Sequence, residues 1–207
     1  MTMIALDGVS DPELLRFAVI LLSACAFFFS MGLVSLFFFN VDDVQARRGK
    51  RFISIVGATA MGTTIAAFLQ ESDWPLWSTV VALTFYAYAL LMFWWTYLTN
   101  RSTPFDFAFS GRSPMGLTRA GPYNAIRHPF YSSYIAGWLA GAIAAPNLAT
   151  LTVFLLMTSV YVTAAFREEA AFRRSELCDD YAEFAAETGL FWPSASGVMR
   201  ILAQVPR

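Results

Sequence analysis

The chain has 207 residues, of which 57% are hydrophobic and only 14% charged, where soluble domains carry about a quarter charged residues. So much apolar surface cannot be hidden in one water-soluble core of this size, and the same figures exclude disordered, collagen-like and disulfide-scaffold classes. An integral membrane protein is expected, and a formal net charge of −1 offers no basic field for nucleic acid.

A helix needs about 20 apolar residues to cross ~30 Å of hydrocarbon. The N-terminal segment holds Asp7, Asp11 and Glu13 ahead of the first apolar run and no Lys or Arg, which does not read as a cleavable signal. The first span is expected over 14–39, after Ser10-Asp11-Pro12, a capping residue followed by a helix-starting proline. The second covers 52–69 and the third 74–98, with Trp74 and Trp77 at one end and Trp94, Trp95 and Tyr97 at the other as interfacial anchors. A Pro-, Gly- and Arg-rich loop follows over 99–129, long enough to read as functional. Spans four and five, 130–145 and 148–166, are separated only by Pro146-Asn147, a turn that makes them an antiparallel hairpin. Gly137, Ala140, Gly141 and Ala144 form a small-residue face expected to let those two helices approach closely. In the tail, helical periodicity from 167 to 186 puts Phe172, Leu177, Tyr181 and Phe184 on one stripe, an amphipathic surface helix.

Basic residues set the sidedness. Arg47, Arg48, Lys50 and Arg51 lie in the first loop, Arg101, Arg112, Arg119 and Arg127 in the long loop, and Arg167, Arg173, Arg174, Arg200 and Arg207 in the tail. Five spans place all of them on one side, leaving Arg16 on the other. The positive-inside rule then puts the N-terminus outside and the C-terminus in the cytoplasm. The compact form suits a bacterial inner membrane. The fold class is therefore an all-α integral membrane protein of five transmembrane helices, organised as a three-span scaffold (1–98) and a second region (99–207) of loop, hairpin 130–166 and tail.

Cys25 and Cys178 are far apart and His128 is the single histidine, so no metal centre is expected. The hairpin leaves one membrane edge after Arg127-His128-Pro129-Phe130-Tyr131 and returns to it at Arg167-Glu168-Glu169. A cation, an imidazole, a phenol and two carboxylates thus converge. Acidic groups at a hydrocarbon boundary are costly unless paired, which makes Glu168 and Glu169 functional candidates. Each has a plainer reading as well: Arg127 as a topology charge, Tyr131 as an interface anchor, and the glutamates as a solvated helix start.

Taken together, Gly121-Pro122-Tyr123, Arg127-His128-Pro129-x-Tyr131, a helical hairpin and Glu168-Glu169 resemble the signature of isoprenylcysteine carboxyl methyltransferases. Phospholipid N-methyltransferases share the double glutamate. Tyr181, Phe184 and Pro193 continue the likeness, which covers about 117–193. The resemblance implies an integral membrane methyltransferase that uses S-adenosyl-L-methionine in a pocket closed by loop and tail. Its acceptor is then lipophilic, a small molecule or a lipidated chain entering sideways from the bilayer lipids, with an isoprenylcysteine-type carboxylate as the first expectation.

On that likeness Glu168 and Glu169 take the cofactor's ammonium and ribose hydroxyls, and Arg127 forks onto its carboxylate. His128, Pro129 and Tyr131 shape the pocket, while Gly121, Pro122 and Tyr123 bring backbone close to the ligand. Tyr181 completes the catalytic group. The stretch from Phe184 to Pro193 carries no Lys or Arg, where the family has a basic residue, so Arg173 or Arg174 would have to hold an acceptor carboxylate. Two rival readings differ in class. A membrane sterol reductase would bind a phosphorylated nicotinamide cofactor through Arg127, Arg167, Arg173 and Arg174, against which stand the adjacent glutamates. A transporter or scaffold would show repeats or ionisable groups in mid-span, and this chain has no acidic residue or Lys there.

Overall fold

The computed structural model of the chain describes residues 11–37, 44–71, 73–101 and 116–204. Arg112, Arg207 and residues 102–115 of the long loop lie outside them. Among the described residues there is no strand, and seven α-helices follow one another: α1 (Asp11–Phe37), α2 (Val44–Gln70), α3 (Leu76–Asn100), α4 (Pro129–Ala144), α5 (Leu148–Phe172), α6 (Cys178–Glu187) and α7 (Ala195–Gln204). A 3-10 turn, Gly121–Asn124, precedes α4. Helices α1, α2, α3 and α5 are long and apolar enough to cross a membrane. With 16 residues, α4 reaches about 24 Å, short of a full hydrocarbon layer. Leu22, Phe29, Leu91 and Leu148 are each at least two-thirds exposed, the outward apolar coat of a protein whose solvent is lipid.

Helix α4 sits at the centre, packed on α3 and α5 with further contacts to α1 and α2. Its small-residue face does not serve the hairpin as expected. A Cβ on Gly137 would lie 2.1 Å from the Phe27 ring, and one on Gly141 would lie 3.1 Å from the Thr64 methyl and 3.4 Å from Tyr86 Oη. The glycines are holes for bulky side chains of α1, α2 and α3, because a large side chain buried in a close-packed core must be given a matching space. The hairpin is closed by its turn instead. Asn147 caps α5, its side chain accepting from Thr150 N while Thr150 Oγ1 accepts from Asn147 N, so the chain reverses between Ala144 and Leu148.

Two other expectations are corrected. Trp74 is not an interfacial anchor but a buried plug, 2% exposed, edge-on to Phe68 and beside Phe17; Arg16 donates to its carbonyl at 2.9 Å, and α3 begins only after Pro75. Nor is the tail one helix over 167–186. Helix α5 continues to Phe172, and α6 starts afresh at Cys178. Between them Ser175 Oγ donates to Phe172 O and accepts from Leu177 N, the local side-chain competition by which serine ends helices. Helix α7 had no counterpart in the sequence reading.

Candidate active site

Helix α3 ends at Asn100, α4 begins at Pro129 and α5 ends at Phe172, so three helix termini meet at one end of the bundle. Glu168 and Glu169 lie in the last turns of α5, not at a helix start. There the helix dipole presents its negative end, which disfavours carboxylates, and compensating donors must come from elsewhere. They come from across the hairpin. Arg127 Nε donates to Glu169 Oε1 at 2.8 Å, and Tyr131 Oη donates to Glu168 Oε1 at 2.5 Å. The His128 imidazole stands between the two carboxylates, Nδ1 at 3.3 Å from Glu168 Oε2 and Nε2 at 3.6 Å from Glu169 Oε1. Arg173 Nη1 lies 3.4 Å from Glu169 Oε2.

The two glutamates are not equivalent. The Glu169 side chain is 7% exposed and is shared by Arg127, His128 and Arg173. That of Glu168 is 30% exposed. The buried residue is a hub, and its neighbour is the more accessible carboxylate.

Arg127 also reaches the tail. Its Nη1 donates to the carbonyls of Ala185, at 2.9 Å, and Thr188, so the guanidinium straps α5 to the end of α6. The backbone on either side reinforces the strap. Arg127 N donates to Gly189 O at 2.8 Å, His128 N to Leu190 O at 3.2 Å, and Gly189 N to Ala125 O at 3.0 Å, around an isolated parallel bridge between Ile126 and Gly189. This clamp brings the Phe191 ring to 6.1 Å from His128, whose other neighbour is Tyr131, stacked at 5.6 Å.

Gly121, at φ 56°, packs where a Cβ would strike Thr99 Oγ1 at 2.3 Å, and Pro122 is buried in an apolar cavity with Met92 and Trp95. These two dock the loop on α3, Gly121 because only a residue without Cβ combines that backbone with that contact. Tyr123 is buried with Tyr181 and Phe184, and its Oη accepts from Asn100 Nδ2 at 3.3 Å. Pro129 opens α4 at its first turn, where its missing N–H is harmless. Tyr181 stacks on Phe172 at 4.6 Å. Its Oη is buried beside Glu169, and burial, then the charge of that carboxylate, pushes the phenol well above its usual range. Sequence reasoning missed Tyr134, Trp138 and Tyr161. Tyr161 stacks on Tyr131 at 5.8 Å, lies 5.0 Å from Tyr134 and accepts from Trp138 Nε1 at 3.3 Å. The spacings Tyr131/Tyr134 and Tyr161/Glu168 are helical repeats that would have aligned them.

Burial pulls the His128 pKa down, but hydrogen bonds and charges from Glu168 and Glu169 outweigh it, and the group lies above its usual 6.5. A folded-state pKa raised above the unfolded one contributes stability that is complete below 6.5 and is lost as pH rises through the raised value. The melting temperature of the purified protein is therefore expected to carry a component that falls on going from mildly acid to alkaline pH. His128→Gln should flatten that component, and an unchanged profile would remove the imidazole from it.

No curated protein and no solved structure matches the chain. Residues 76–175 match the family model described as phospholipid methyltransferase. The match opens at the start of α3, takes in the 3-10 turn, α4, α5 and every side chain of the Arg127–His128–Tyr131–Glu168–Glu169–Arg173 cluster, and stops before Tyr181 and the 185–190 half of the clamp. The cluster thus lies at one end of a bundle of membrane-length helices, within a segment, just under half of the chain, that is similar to the phospholipid methyltransferase family.

Proposed function

We propose that this chain transfers a methyl group from S-adenosylmethionine to a lipophilic acceptor supplied by the bilayer, with 99–207 as the catalytic region and 1–98 as its scaffold. The observation that carries the reading is the cluster built across the α4–α5 hairpin inside the family-matched segment. In this reading α4 enters the membrane beside the four long helices, and the site end, with the C-terminus, faces the cytoplasm, as the basic residues favour.

The residues fit the cofactor. Glu168, partly exposed, is an ionised acceptor for an ammonium or ribose hydroxyl. Arg173, with a side chain 58% exposed, is a cation for a carboxylate, taking the role first expected of Arg127. Tyr181 Oη is a buried hydroxyl beside Glu169. The cofactor supplies an electrophilic methyl on a sulfonium. Around it the protein's work is alignment and exclusion of water. Arg127 and Glu169 fix the frame, and the neighbouring rings of Tyr131, His128 and Phe191 would exclude water beside Glu168. Among acceptors, an amine-bearing phospholipid headgroup has the family match behind it, and its proton would pass to a base such as Glu168 or His128. An isoprenylcysteine-type carboxylate would rely on Arg173 or Arg174, since 184–193 carries no Lys or Arg.

A ligand-stabilisation scan on the detergent-purified protein tests this. S-adenosylhomocysteine at about 100 times its Kd should stabilise by ~2.7 kcal/mol. Glu168→Gln should weaken its binding roughly 10- to 100-fold, the worth of a charge-assisted hydrogen bond, while the ligand-free melting temperature stays near that of the parent. A shift produced only by the phosphorylated nicotinamide dinucleotide would instead favour the reductase.

A further inference from the structure

Helix α7 has two unlike sides. Its polar side is held by protein: Arg200 Nη2 donates to Asn124 O at 2.9 Å and its Nη1 to Glu187 Oε2 at 2.7 Å, and Gly197 packs where a Cβ would lie 2.4 Å from Ala125 Cα. Ser194 Oγ caps the helix by accepting from Gly197 N. On the other side Val198, Met199 and Leu202 are exposed, the last two by more than 60%. Ten residues are too few for a helix to stand alone in water, and such a face needs a cover.

What covers it can be read from its surroundings. Between α7 and the end of α3 lies a cavity of about 210 Å³, lined only by apolar residues, among them Met92, Trp95, Ile126, Val198, Ile201 and Leu202. Trp95 belongs to the outward face of α3, on which Leu91 and Leu98 are also exposed, so the α7 face and the groove continue the lipid-facing coat of a membrane-length helix. Trp192, 64% exposed beside them, is a residue type favoured where headgroups meet acyl chains. We propose that α7 is an interfacial helix whose Val198–Met199–Leu202 face lies in the acyl layer, and that the groove beneath it takes an acyl chain of a bilayer phospholipid. Because α7 is tied to Asn124, Ala125 and Glu187, which flank the clamp, this seat also anchors the site to the membrane. It does not depend on the methyl-transfer reading.

The test places a single cysteine at Leu202 or at Ser196, in a Cys25→Ser/Cys178→Ser background, labelled with an environment-sensitive fluorophore in the full chain in phosphatidylcholine vesicles. The Leu202 probe is expected to be quenched by phospholipids brominated high on the acyl chain and to be several-fold less sensitive to aqueous iodide than the Ser196 probe. Equal iodide quenching at the two sites would overturn the proposal. Protection of Leu202 from both quenchers would also overturn it, showing a protein cover such as a second copy. For the groove, phosphatidylcholine with a photoactivatable acyl chain should label 195–204, and Ile201→Trp, which fills the space, should cut that labelling several-fold without changing labelling of α1. Labelling of α7 no greater than that of α6 would sink the lipid seat.

Discussion

Glu169→Gln is expected to lower the melting temperature of the detergent-solubilised protein by on the order of 10 °C and to expose the tail to protease. Removing one partner of a buried ion pair costs roughly 3–5 kcal/mol, because the other charge stays buried. Arg127 and Glu169 have side chains only 14% and 7% exposed. The lower end applies, since Arg127 keeps its two carbonyl acceptors in α6 and beyond, and a protein of this size loses ~2–4 °C per kcal/mol. The same pairing argues that the double variant Arg127→Met/Glu169→Leu is less damaged than either single one, since no charge is then stranded. A Glu169→Gln protein that melts with the parent would show the hub to be a ligand site after all. The expected outcome separates the two glutamates by experiment: one removal destabilises the protein, while the other, at Glu168, leaves its stability near the parent's and weakens binding.

The distinction was not legible in the sequence, and the reason is geometric. Glu168-Glu169 reads as one acidic pair, yet consecutive helical residues point about 100° apart, so one turns into the hairpin and its neighbour outward. The hairpin itself was legible, because Pro146-Asn147 between two apolar runs has few other solutions, and the convergence of Arg127, His128 and Tyr131 on the glutamates follows from that topology alone. The direction of the small-residue face was not, since a stripe of glycines and alanines marks a hole without naming its knob, and Phe27, Thr64 and Tyr86 lie 50 to 110 residues away in sequence. The second role of Arg127 was also hidden. Its acceptors are the carbonyls of Ala185 and Thr188, and backbone oxygens carry no sequence signature. Helix α7 escaped notice because ten residues of mixed polarity give a short periodic signal, and its capping serine followed a Pro taken as the end of the motif.

Gly189→Ala is expected to undock the tail and, through it, to weaken S-adenosylhomocysteine binding by at least about tenfold. A Cβ at Gly189 would lie 1.8 Å from the carbonyl oxygen of Trp192 and 3.0 Å from its carbon. Both are backbone atoms, so no side-chain rotation relieves the contact and the turn from Thr188 to Ser194 must open. That turn carries the bridge to Ala125 and Arg127 and stands next to the Thr188 carbonyl that holds the guanidinium. Losing the bridge's hydrogen bonds, at about 1 kcal/mol each, on top of the backbone shift gives roughly 2–4 kcal/mol. The loss falls on the tail rather than on the bundle, whose helices pack on one another without it. The expected pattern is therefore weak ligand binding, rapid proteolysis after Phe172 and an unchanged far-ultraviolet helix signal from the membrane region. Intact binding in Gly189→Ala would mean that the clamp only decorates the site, and that α4 and α5 hold the ligand alone.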